Sequence, residues 1–110
     1  MLSKKLTQEV SQLEANFCAA LSDPNRLLIL YALNERPLNV TEITNELGAS
    51  QPTISRHLKV LRERGLVETS RQGVVITYTL ADKRLIDALD ILRAVMRDRF
   101  ANNANLMVER

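Results

Sequence analysis

The sequence predicts a mainly α chain with one small β-hairpin, in the order four helices, two strands, one helix. Three observations lead there. Apolar residues recur at three- and four-residue steps through most of the chain. Residues 66–80 switch to a run rich in β-branched side chains. The three glycines, Gly48, Gly65 and Gly73, fall where the pattern breaks.

Leu6, Val10, Leu13 and Phe17, followed by Ala20 and Leu21, give the first helix an amphipathic stripe that Ser22 and Asp23 stop. Asp23-Pro24 then opens the second helix: the Asp23 carboxylate can accept a free backbone N–H, and Pro24 lacks only a donor that would be unpaired there anyway. Leu27, Leu28, Leu30, Tyr31 and Leu33 make this helix mostly buried, and Pro37 closes it. A third, short helix starts at Asn39-Val40-Thr41-Glu42, where Asn39 can bond forward and Glu42 back. Ile43 and Leu47 are its inward residues, and Gly48 ends it.

Ser50 caps a fourth helix with Pro52 in its first turn; Ile54, Leu58 and Leu61 share one face, and Gly65 terminates it. Leu66–Ser70 and Val74–Leu80 are the predicted strands, with Arg71-Gln72-Gly73 as the turn. From Asp82 onward Leu85, Leu89, Leu92 and Met96, with Ile86 and Val95 beside them, form a last helix to about Phe100. Residues 101–110 either continue it or fray.

A chain of 110 residues fits a single domain, 1–110, with a modest core. Its 45% hydrophobic and 25% charged composition is that of a globular protein. The longest apolar run, Leu27–Leu33, is far short of a membrane span, and polar residues follow Lys4 and Lys5 where a leader would be apolar. The expectation is a cytoplasmic protein without membrane contact. One cysteine excludes an intrachain disulfide. With one cysteine and one histidine, no nucleophile–base pair, glycine-rich phosphate loop or zinc-protease motif is evident, so no enzyme is expected.

Net charge is only +2, but its distribution is uneven. Between Gln51 and Gln72 five cations (Arg56, Lys59, Arg62, Arg64, Arg71) stand against Glu63 and Glu68, a local +3. Helix, glycine turn, helix and hairpin over 40–64 and 66–80 make a winged helix-turn-helix. The fourth helix is then the one offered to the major groove of double-stranded DNA, about 12 Å wide and able to admit one helix. With Ile54, Leu58 and Leu61 inward, Arg56 points out and can donate twice to guanine. Gln51, Thr53 and Ser55 offer short or amide groups to base edges or phosphates, and Lys59 and Arg62 suit phosphates. Arg71 and Gln72 at the hairpin turn suit a minor groove or phosphate. His57 falls beside the apolar face, as a packing or phosphate-bonding residue rather than a base reader.

The runs Leu21-Ser-Asp-Pro-Asn-Arg-Leu-Leu-Ile-Leu30, Ser50-Gln-Pro-Thr-Ile-Ser-Arg-His-Leu-Lys-Val-Leu-Arg-Glu-Arg-Gly-Leu-Val67 and Arg71-Gln-Gly73 resemble the ArsR/SmtB family of bacterial transcriptional repressors. The resemblance spans roughly Phe17 to Met96. It implies a homodimeric repressor on a pseudo-palindromic operator, released by an inducer, with the helices at 1–21 and 82–103 as the dimer interface. Leu6, Val10, Leu13, Phe17, Leu85, Leu89, Leu92 and Met96 are the corresponding apolar residues, and the same faces lack a partner in the residue reading.

The inducer site departs from the family. Arsenic-type members carry Leu-Cys-Val-Cys-Asp-Leu where this chain has Leu38-Asn-Val-Thr-Glu-Ile43, so Asn39 and Thr41 replace both cysteines. Zinc-type members use histidines of the last helix, and none follows His57. No metal site and no cofactor are therefore expected; an inducer, small molecule or redox event, stays unidentified. Cys18 reads as a half-buried packing residue, with a redox or metal response across a dimer axis as the alternative. Asp82, Asp87, Asp90 and Asp98, interleaved with Lys83, Arg84, Arg93, Arg97 and Arg99, read as a solvated face rather than a metal site. A winged-helix module that binds protein instead of DNA is the remaining alternative.

Overall fold

The structure, a computed structural model, describes the backbone of residues 1–108 and side chains to residue 102. Helix α1 (Lys4–Leu13) starts at Ser3, whose hydroxyl accepts the Leu6 N–H. It runs into a π-helical segment, Glu14–Cys18, in which the Ala19 N–H reaches back to Glu14. That extra residue per turn splits the predicted stripe. Leu6, Val10 and Leu13 stay exposed, whereas Phe17 and Leu21 pack on the core and Ala20 is buried.

Helix α2 (Pro24–Glu35) is capped by Asp23, which accepts the Asn25 N–H at 2.8 Å, and ends at an extended Arg36 before Pro37. A strand that the sequence reading lacked follows. β1 (Leu38–Asn39) pairs antiparallel with β3, Leu38 opposite Tyr78 and Asn39 opposite Thr77. Asn39 also caps α3 (Val40–Leu47) in a full capping box: its side chain accepts the Glu42 N–H, and the Glu42 carboxylate accepts the Asn39 N–H, both at 2.9 Å. Gly48 ends α3 at φ +68°, where any other residue would be strained.

Helix α4 (Gln51–Glu63) closes in a Schellman motif, with the Leu66 N–H bonded to the Leu61 carbonyl and the Gly65 N–H to that of Arg62. Strands β2 (Val67–Gln72) and β3 (Val75–Leu80) form the hairpin, and the sheet order is β1-β3-β2. The turn sits one residue later than predicted. Gly73, at φ +63°, and Val74 form a two-residue loop with glycine at its first position, and Arg71 and Gln72 belong to β2 opposite Ile76 and Val75. Helix α5 (Arg84–Val108) then extends beyond Phe100.

One core joins these elements. Ile29 and Leu30 of α2, Leu38, Ile43 of α3, Ile54, Leu58 and Leu61 of α4, Leu66 and Val67 are fully buried, with Ile86 of α5 close behind. At roughly 25 cal/mol per Å² of apolar surface removed from water, this cluster is what orients α3 and α4 against α2. Tyr31 ties α2 to α5 from outside: its hydroxyl donates to Asp90 at 2.6 Å, and the Arg93 guanidinium lies 5.1 Å over its ring. Desolvation and the Asp90 hydrogen bond raise the Tyr31 pKa.

Candidate nucleic-acid interface

The inward stripe of α4 leaves a defined outer face. Gln51, Pro52, Ser55, Arg56, Lys59 and Arg62 are all exposed. Ser50 holds the start of the helix: its oxygen accepts the Thr53 N–H, and its hydroxyl donates to Thr53 Oγ1 at 2.8 Å. Thr53 is thus half-buried with its oxygen engaged, and only its own O–H stays free to donate. Among the described residues, Arg56, Lys59, Arg62 and Arg71 lie in none of the ion pairs, whereas Arg36, Arg84 and Arg93 each face a carboxylate.

Of the two roles the sequence allows His57, packing or phosphate bonding, its burial fits the first, which takes it off the list of DNA-contacting residues. Its side chain faces the α2 end of the core and the residue is only 5% exposed. Arg26 Nη1 lies 3.3 Å from His57 Nδ1; because a guanidinium can only donate, Nδ1 is the acceptor and the proton sits on Nε2, 3.8 Å from Asp23 Oδ1. Partial burial raises the Asp23 carboxyl, but the Asn25 N–H, His57 and Arg26 outweigh it and hold the group below its ordinary value. His57 therefore anchors α4 to the start of α2 and is withdrawn from the groove face.

The hairpin placement is corrected as well. Its tip is Gly73-Val74, with Val74 93% exposed, and Arg71 and Gln72 stand behind the tip on the exposed strand β2. Cys18 is exposed rather than half-buried, at the end of the π-helical segment. Of the eight apolar residues assigned to the terminal helices, Phe17, Leu85 and Leu89 pack partly on this chain's own core. Leu6, Val10, Leu13, Leu92 and Met96 are exposed, and Ile91, Val95 and Phe100 join them. Ile91 lies one helical turn before Val95 and Phe100 one turn after Met96, a spacing that could have marked Ile91 and Phe100 from sequence. Met107 lies outside the described side chains.

Among the described residues no cluster of three His, Cys, Asp or Glu could hold a metal ion. Asn39, at one of the positions where arsenic-type proteins carry cysteine, is occupied by the capping box.

A short helix, a glycine turn, a second helix with an unpaired cationic outer face and a hairpin beside it define a winged helix-turn-helix, a DNA-binding fold of transcriptional regulators. Comparison with known proteins narrows this class. The family model for bacterial regulatory proteins of the arsR family matches residues 23–69. The HTH-type transcriptional regulator NmtR of Mycobacterium tuberculosis is 38% identical over 88 residues, covering 80% of this chain and 73% of that protein. The biofilm growth-associated repressor of Xylella fastidiosa (strain Temecula1) is 37% identical over 81 residues, covering 74% of this chain and 71% of the repressor. In solution, the homodimeric winged helix-turn-helix DNA-binding domain of a possible ArsR-family regulator from Mycobacterium bovis matches the fold with a TM-score of 0.75 at 26% identity, covering 90% of this chain and 91% of that one. The chain belongs to the ArsR family and is a transcriptional regulator.

Proposed function

We propose that the protein is a homodimeric, cytoplasmic repressor that binds an inverted-repeat operator through α4 and the hairpin. The observation that carries this is the pairing of two surfaces left unsatisfied among the described residues: a cationic helix face without carboxylate partners, and bare apolar stripes on α1 and α5. Helix α1 buries none of its residues. The radius of gyration is 17.2 Å, against about 13 Å for a compact chain of this length. The relative from M. bovis is a homodimer of the same fold.

In a two-fold dimer two α4 helices about 34–36 Å apart reach successive major grooves. Arg56 then reads a base, Ser55 and Gln51 assist at base edges or phosphates, and Lys59, Arg62 and Arg71 hold phosphates. Selecting bound duplexes from a random-sequence pool tests the reading. Recovery of an inverted repeat is expected, with affinity falling log-linearly with salt at a slope of about −5 for roughly six phosphate contacts per dimer. Arg56→Ala should cost about 1–3 kcal/mol and relax the preference at one base pair per half-site. A salt-independent affinity, or no enrichment of any sequence, would refute the proposal.

A further inference from the structure

Nothing apolar in α1 fixes the direction of that helix, yet a repressor of the kind proposed above needs its two recognition helices at a set spacing. Only Phe17, Ala20 and Leu21, at the end of the first helical run, enter the core. Two polar links supply the missing constraint. Arg26 bridges elements with one guanidinium, Nε donating to the Ala20 carbonyl at 2.6 Å and Nη1 to His57 Nδ1 in the middle of α4. Arg64, at the C-cap of α4, donates to the side-chain oxygen of Asn16 within the π-helical segment at 3.2 Å. Asn16 is itself held by its amide, which donates to the Gln12 carbonyl of α1 at 2.9 Å.

His57 and Arg64 are two turns apart, about 10 Å along the α4 axis. One attachment fixes only a position; two fix a direction. We propose that Asn16, Arg26 and Arg64 are positioning residues that lock the recognition helix to the first helix, so that the geometry of the dimer sets the half-site spacing the protein accepts. The inference rests on the dimeric, DNA-binding reading above. The π-helical segment has a part in it: by setting the two faces of the first helix apart, it lets Leu6, Val10 and Leu13 stay exposed while Phe17 packs inward and Asn16 meets Arg64.

Asn16 separates positioning from phosphate contact, since it carries no charge. The probes are a duplex selected by the unaltered protein, versions with the half-sites moved apart or together by one or two base pairs, and a duplex holding one half-site. Asn16→Ala should weaken binding to the selected duplex by about three- to tenfold and flatten the dependence on spacing. Binding to the single half-site should stay unchanged. Arg26→Lys, which cannot span both acceptors, should flatten the spacing preference as well. An equal loss on the single half-site, or an unaltered spacing profile in Asn16→Ala, would overturn the proposal.

A second measurement needs no DNA. Spin labels at Gln8→Cys and Gln51→Cys in a Cys18→Ser background, diluted with unlabelled protein, report the angle between α1 and α4. The distance distribution should broaden with Asn16→Ala, and an unchanged width would also overturn the inference. Failure of the unaltered protein to select any duplex would instead count against the DNA-binding reading, leaving the label distances to judge the links.

Discussion

Leu92→Ala tests the proposed dimer face where the numbers are most legible. Leu92 lies on α5 and is 63% exposed in the single chain. Full burial of a leucine side chain contributes about 2 kcal/mol, and truncation to alanine removes most of it. Scaled to the exposed fraction, each copy loses roughly 1 kcal/mol, and a two-fold interface contains the residue twice, so the dimer should weaken by about 2 kcal/mol, or about 30-fold in dissociation constant. Sedimentation equilibrium over a concentration series measures this directly. The thermal midpoint extrapolated to the monomer should hardly move, because Leu92 touches little of its own core. Val74→Ser is the control: it removes an exposed apolar side chain from the hairpin tip and should leave the dimer constant unchanged. A dimer constant equal in Leu92→Ala and the unaltered protein, or a drop as large in Val74→Ser, would refute the assignment.

Other consequences are local. Gly65 sits at φ +78° in open space, so Gly65→Ala meets no clash yet must adopt a left-handed backbone; a loss of about 1–2 kcal/mol in urea unfolding is expected. Lys59→Ala should weaken all duplexes alike and reduce the magnitude of the salt slope by about 1 per contact removed, whereas loss at one base position alone would make Lys59 a reader. Asp82 should contribute acid sensitivity at the start of α5. Its side-chain and backbone bonds from Arg84 hold its pKa at about 2, below the ordinary 3.8, so its stabilisation is complete above the ordinary value and disappears as pH falls through about 2. Asp82→Asn should therefore flatten the pH dependence of unfolding below pH 4, and a profile identical to that of the unaltered protein would exclude the contribution.

Much of this architecture is visible in the sequence because its signals are local and repeated. Capping at Asp23, Asn39 and Ser50, and glycine stops at Gly48 and Gly65, act within one turn of the chain and need no tertiary partner. What escaped depends on distant residues. β1 is two residues long, too short for alternation to register, and exists because Tyr78 and Thr77 lie beside it. The hairpin turn shifted by one position because glycine serves equally at the end of a three-residue loop or the start of a two-residue one. The sequence leaves His57, beside the apolar stripe, between packing and phosphate bonding; its partners in the packed position are Arg26 and Asp23, thirty-one and thirty-four positions earlier, which a helical wheel cannot see. The π-helical segment has no pattern of its own, so a stripe that appeared continuous from Leu6 to Leu21 serves two different surfaces.

The modest net charge of +2 also acquires a meaning that its sum conceals. An arginine paired with a carboxylate has part of its donor set used and its field cancelled, as Arg84 is by Asp82 and Arg93 by Asp90. Arg26 and Arg64 instead bond neutral acceptors, keeping their charge but not their freedom to move. Arg56, Lys59, Arg62 and Arg71 have no ion pair among the described residues, and they are grouped on one helix face and the adjoining strand. An anion approaching the molecule therefore meets a concentrated cationic surface although the whole chain is close to neutral. Neutralising a carboxylate elsewhere, such as Asp90, raises net charge by one unit, as much as Arg56→Ala lowers it, yet should leave DNA affinity nearly untouched, because what binds a phosphate is the unpaired donor within reach and not the total.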